Sequence, residues 1–83
     1  MNLEKKISPK DLEFHLNSLE LDDGVKIEGI KKKIFVNKKD AEEFVLQIKE
    51  ENGRESISYR RSASSVLRLV KATFKGKYTV STY

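Results

Sequence analysis

Apolar residues in this chain never run more than three together. The longest stretches are Ile34-Phe35-Val36 and Phe44-Val45-Leu46, and turn-forming residues punctuate the rest: Ser8-Pro9, Asp22-Asp23-Gly24, Gly29, Asn52-Gly53 and Gly76. A membrane-spanning helix needs about 20 apolar residues in succession, so none is expected. The short groups recur with helical or strand spacing, each long enough to supply one face of a short element. A chain of 83 residues has room for one core, so residues 1–83 are read as a single domain. A domain of that size buries about 60–65% of its unfolded surface. Composition is polar, with 37% apolar and 36% charged residues, but the periodicity argues against disorder.

There is no cysteine, which excludes a disulfide-stapled scaffold and a thiolate zinc site. The N-terminal Met-Asn-Leu-Glu-Lys-Lys-Ile lacks the apolar core of a signal peptide, and a cytoplasmic protein is expected.

Ser8-Pro9-Lys10-Asp11 has the form of a helix start, with a capping serine, a proline pre-set for the first helical position and an acid to complete a capping box. Leu12, Leu16 and Leu19 follow at helical spacing, although Leu12, Phe14 and Leu16 also alternate as in a strand. The start signal favours helix, and Asp22-Asp23-Gly24 is read as the turn that ends it. Val25 and Ile27, then Ile34 and Val36, suggest two strands joined through Lys31-Lys32-Lys33 as a hairpin. Asn37 can cap a second helix over residues 38–51, with Asp40 three residues on. Its stripe would be Ala41, Phe44, Val45 and Ile48, with Asn52-Gly53 as a left-handed stop. Residues 55–60 read as a third strand, with Ile57 and Tyr59 on one face. Ser62 caps a third helix over 63–74 with a face of Ala63, Val66, Leu67, Val70 and Phe74, and Gly76 breaks it. A last strand carries Tyr78, Val80 and Thr82. The expected fold class is α+β: a small mixed sheet with helices mainly on one face, in the order α-β-β-α-β-α-β.

Catalytic machinery is hard to assemble from these residues. His15 is the single histidine, so no thiol–imidazole pair or multi-histidine metal site is available. On the flank of a leucine-rich helix it reads as a surface or boundary residue rather than a general base. Asp22-Asp23 lacks calcium-loop spacing, and there is no phosphate-binding glycine motif. The expectation is a non-enzymatic protein with no metal and no organic cofactor.

Charge is the informative feature. Residues 1–55 carry 11 basic side chains and all 13 acids, whereas 56–83 carry six basic side chains and no acid. Three of the four arginines lie in that acid-free segment, and arginine's planar fork suits phosphate and carboxylate. Arg60, Arg61 and Ser62 sit where the third strand hands over to the third helix, at a terminus whose N–H groups and dipole favour an anion. Ser64, Arg68, Lys71 and Lys75 then fall at i, i+4, i+7 and i+11, and Lys77 continues the stripe. Lys71 and Lys75 repel at i, i+4, and a phosphate backbone would relieve that repulsion.

The competing interpretation is a solvated helix face, neutralised by Glu42, Glu43, Glu50 and Glu51 on the second helix. Lys31-Lys32-Lys33 is read as a solvated turn, or failing that as an auxiliary phosphate contact. With Ile57 and Tyr59 turned to the helices, Ser58 and Arg60 would face outward with Phe35 and Tyr83. Such rings could stack unpaired bases, but the aromatic signature of the four-stranded RNA-binding module is missing, and Phe35 is read instead as core or interface. The working expectation is a small basic module that binds nucleic acid or another polyanion through the junction of the third strand and third helix. Its rival is a small inhibitor or adaptor of the kind phages and mobile elements carry, docking on a host protein.

Overall fold

The computed structural model describes residues 6–82 except Asp22 and Gly76. The expected turn at Asp22, the helix break at Gly76 and the placement of Tyr83 therefore lie outside the described residues. Pro9–Asp11 form one 3-10 turn that runs directly into helix α1, Leu12–Asn17. Pro9 starts the turn, as its fixed φ favours, but Ser8 makes no side-chain capping bond. Helical spacing decides what α1 buries: Leu12 and Leu16 are inaccessible to solvent while Phe14 is 77% exposed. Strand alternation would have put all three on one face, so the helix reading holds. At its end the Ser18 hydroxyl donates to the Phe14 carbonyl at 3.0 Å.

Six strands make one sheet: β1 (Lys6–Ile7), β2 (Gly24–Glu28), β3 (Lys32–Asp40), β4 (Glu43–Glu50), β5 (Glu55–Arg60) and β6 (Thr79–Thr82). Their order is β1-β6-β2-β3-β4-β5, and every pairing is antiparallel rather than mixed. The reason is local, since β2, β3, β4 and β5 follow one another through short turns, which only antiparallel neighbours allow. The second helix, α2 (Ala63–Thr73), connects β5 at one edge with β6 between β1 and β2. The α+β class stands.

One expected element is different. Residues 38–51 are not a helix; they are the end of β3, a turn, and β4. Phe44 is buried either way, but Leu46, fully buried in the structure, lies about 200° from Phe44 on a helical wheel, on the polar side. As a strand the segment turns Phe44, Leu46 and Ile48 inward together, so period two accounts for a leucine that period 3.6 strands in water. The residues read as helix caps serve turns instead. Asp40 accepts the Glu42 N–H at 2.9 Å in an Asx turn between β3 and β4. Gly53, at φ 90°, supplies the left-handed position of the four-residue β4–β5 loop, where the Gly53 N–H reaches the Glu50 carbonyl at 3.0 Å.

The core lies between the sheet's inner face and the two helices. Val25 and Ile27 of β2, Ile34 and Val36 of β3, Leu46 of β4 and Val80 of β6 join Leu12, Leu16, Val66 and Val70 in one buried cluster. Phe74, just past α2, seals the end of this cluster beside Tyr78, with ring centroids 5.7 Å apart. Its ring lies on Gly29 so closely that a Cβ there would meet Cδ1 at 2.4 Å. A bare backbone is therefore required where the β2–β3 hairpin passes under the ring.

Candidate anion-binding surface

Helix α2 begins as its sequence suggests. Ser62 is extended (φ −141°, ψ 154°) and its hydroxyl accepts the Ser65 N–H at 3.2 Å, the ordinary N-cap arrangement. The same oxygen lies 3.2 Å from the Ser64 hydroxyl and 3.0 Å from that of Ser65. The serines expected to present donors to an anion are thus engaged with one another and with the helix's own N–H.

The two arginines before the helix separate. Arg60 ends β5 opposite Phe44 on the inner side of the sheet, half-buried, and its Nη1 donates to the Tyr59 carbonyl at 2.8 Å. Arg61 lies beyond the strand and is exposed. Register sets these directions: Leu46 faces the core and Ser58 is its partner, so Ser58 and Arg60 point to the helix side. Ile57 and Tyr59 point to the outer face, 59% and 53% exposed, the reverse of the orientation expected. Phe35 also lies on that outer face, half-buried, with Lys49 Nζ 5.3 Å from its ring centroid. Lys39 Nζ sits 5.6 Å from the Tyr59 ring.

Ser64, Arg68 and Lys71 occupy the exposed side of α2, away from the buried Ala63, Val66 and Val70. Spacings of four and three residues hold them within roughly 60° of arc and about 10 Å of helix length. The stripe does not continue as the spacing implied. The helix ends at Thr73, and Phe74 is extended at φ −107°, ψ 99°, so Lys75 and Lys77 leave the helical period. They meet the tip of the β2–β3 hairpin, lining with Lys31, Lys32 and Ile30 an open groove of about 290 Å³. Ile30 is 96% exposed. The lysines at the hairpin and those after α2 are thus brought together, a juxtaposition that spacing along the chain does not disclose.

Acids are arranged differently from the expectation. Glu42, Glu43, Glu50 and Glu51 form no helix beside α2; they lie in β4 and its flanking turns. The described ion pairs all belong to the sheet and its hairpins: Lys26–Glu28 at 3.3 Å, Lys33–Glu28 at 3.7 Å, Lys32–Glu50 at 3.6 Å, Lys39–Glu43 at 3.7 Å and Lys49–Glu55 at 3.6 Å. Among the described residues no ion pair involves Arg60, Arg61, Arg68, Lys71, Lys75 or Lys77.

His15 is half-buried in α1. Asp23 accepts the Glu20 N–H at 3.4 Å, as a turn residue does. Among the described residues no three His, Cys, Asp or Glu side chains gather as a metal site would need, and no helix is long and apolar enough to cross a membrane. No protein-family model matches the chain, nor does any curated protein or solved structure.

Proposed function

We propose that the protein is a non-enzymatic cytoplasmic module that binds nucleic acid or a comparable polyanion along α2 and the lysine cluster at its far end. The observation that carries this reading is the partition of charge. Five lysines of the sheet, Lys26, Lys32, Lys33, Lys39 and Lys49, are matched by nearby acids, while Arg61, Arg68, Lys71, Lys75 and Lys77 are exposed and unmatched among the described residues. Unmatched cations over one surface are what a phosphate chain can neutralise with release of its counterions. The capped helix N-terminus is not the focus, because the Ser62 hydroxyl already accepts the Ser65 N–H and lies against the Ser64 and Ser65 hydroxyls. Arg60 is secondary, its guanidinium being held by the Tyr59 carbonyl.

Fluorescence anisotropy with labelled single- and double-stranded oligonucleotides tests the proposal. If four of these cations meet phosphates, affinity should fall about 150-fold between 50 and 200 mM salt, from a slope near 0.9 per contact. Arg68→Glu should weaken binding roughly tenfold or more and flatten that slope by about one. Lys6→Glu, at an exposed position on β1, changes net charge equally and should have a much smaller effect. Equal losses from the two reversals, or binding indifferent to salt, refute the surface. Salt-insensitive capture of a protein from nuclease-treated lysate would favour the adaptor class instead.

A further inference from the structure

Strand β5 ends the sheet, and its outer edge can be read residue by residue. The Glu50 N–H donates to the Arg54 carbonyl at 2.9 Å, and the same register pairs Ile48 with Ser56, Leu46 with Ser58 and Phe44 with Arg60. Hydrogen-bonded and non-hydrogen-bonded pairs alternate along an antiparallel ladder, so Ser56, Ser58 and Arg60 turn their backbone groups toward β4. Glu55, Ile57 and Tyr59 turn theirs outward. The Arg60 guanidinium agrees with this, since the carbonyl it reaches is that of Tyr59. Natural edges are usually shortened or guarded by charged side chains, lysine above all, or by proline, and in β5 the charged residues Glu55 and Arg60 stand only at the two ends. The opposite edge strand, β1, is two residues long, but β5 has six, with neither lysine nor proline.

We infer that a second copy of the chain pairs with this edge, β5 against β5, antiparallel about a two-fold axis at Ser58. Residues opposite one another in such a pair must share a face, so the axis can sit only on a residue. With the axis at Ser58, Ile57 of each copy lies opposite Tyr59 of the other, and Glu55 lies opposite Arg61 of the other. The pairing is self-complementary in both apolar contact and charge, and each effect occurs twice, as two-fold symmetry requires. Moving the axis to Ile57 sets Arg60 against Arg54 and Glu55 against Tyr59. Moving it to Tyr59 sets Arg61 against Ile57 and leaves Glu55 without an opposite in the strand. Charge and exposure therefore select one register.

In that register the outward N–H and C=O groups of Ile57 and Tyr59 bond to those of Tyr59 and Ile57 across the axis. The Arg60 guanidinium yields the Tyr59 carbonyl to the incoming Ile57 N–H. Glu55 already lies 3.6 Å from Lys49, and its second oxygen remains for Arg61. The result is one twelve-stranded antiparallel sheet with both α2 helices on the same side, so the basic surfaces of two chains stand together. The pairing does not depend on polyanion binding. A six-residue strand pair buries less than the roughly 1,200 Å² of a standard stable interface, so association in the range of about 10–100 µM is expected.

Sedimentation velocity on nuclease-treated full-length protein, over about 5–500 µM, reads this directly. The mass should rise with concentration from that of the 9.6 kDa chain toward twice that value. Ile57→Lys, which installs an edge guard, should hold the protein monomeric while circular dichroism stays unchanged. Glu55→Arg and Arg61→Glu should each weaken association about fivefold or more, and the double exchange should restore it to within about twofold. A monomer at every concentration overturns the inference. So does a dimer that survives Ile57→Lys, or a double exchange that fails to rescue. Those failures would leave the anisotropy results untouched, so the two proposals fall separately.

Discussion

Leu46 and Val45 give the sharpest test of the fold, because helix and strand readings of this segment exchange their roles. In the structure Leu46 is fully buried among core residues of β3 and the helices. Its neighbour Val45 lies on the outer face opposite Asn37 and Tyr59 and is half-buried. Leu46→Ala removes three carbons from a packed site and should cost about 3–4 kcal/mol, the transfer loss plus the cavity left behind. A domain of this length has a total stability of about 4–12 kcal/mol, so the variant should be partly or wholly unfolded at the low end of that range. At about 4–8 °C per kcal/mol the melting temperature should fall by roughly 12–30 °C. Val45→Ala loses a half-buried β-branched side chain from the outer sheet face and should cost about 0.5–1 kcal/mol. Urea titration followed by circular dichroism measures both, and an unchanged m-value certifies that stability alone has shifted. A helix over 38–51 would make Val45 a core residue and put Leu46 in water. If Val45→Ala proves as damaging as Leu46→Ala, the strand reasoning is wrong.

Two further substitutions address how α2 is held at its ends. Gly29→Ala should destabilise by about 1–3 kcal/mol, because the new methyl meets the buried Phe74 ring at 2.4 Å and 2.6 Å; a neutral result in thermal melts would mean that the ring yields freely. Ser62→Ala should cost about 1 kcal/mol through loss of the N-cap, read by the same melts. Ser62→Asp should restore most of that loss, because a carboxylate can also cap and favours the positive end of the helix dipole.

What could be read from the chain follows from how local each determinant is. Helix α2 was legible because its cap, Ser62, and its apolar positions, Ala63, Val66 and Val70, lie within nine residues and act on one another directly. The β2–β3 hairpin was legible for the same reason: Val25 pairs with Val36 and Ile27 with Ile34 across a short turn. Strand β1 carried no signal. Lys6 and Ile7 are a strand only because Ser81 and Val80, more than seventy residues away in the sequence, lie beside them. At β4 the sequence held two periodicities at once, and Leu46 and Val45 distinguish them. At β5 alternation shows that Ile57 and Tyr59 share a face but not which one. That choice is made by the pairing of Ser58 with Leu46, a tertiary fact. The exposure of Arg68 and Lys71 was readable from helical spacing, whereas the meeting of Lys75 and Lys77 with Lys31 and Lys32 depends on where Phe74 anchors the chain against Gly29.

The sheet also explains why charge asymmetry along the sequence becomes asymmetry in space. Antiparallel neighbours bring residues from adjoining segments face to face, and residues 24–55 contain both signs of charge, so cross-strand and near-neighbour pairs such as Lys32–Glu50 and Lys49–Glu55 form within the sheet. Each such surface pair is worth at most about 1 kcal/mol, but together they occupy acids that are then not free to answer the cations of α2. After Glu55 the chain has no acid to offer. Among the described residues the helix and its exit are therefore left with unmatched positive charge, which does nothing for packing and weakens the compact state through self-repulsion. The fold does not require Arg68 or Lys71 to be basic, since both project from the exposed side of α2. On the proposed reading their value lies outside the chain, in an anion whose binding would offset that repulsion. The β5 pairing would concentrate the effect by adding a second such surface at a fixed distance, so that one polyanion spanning both would bind more tightly than to either alone.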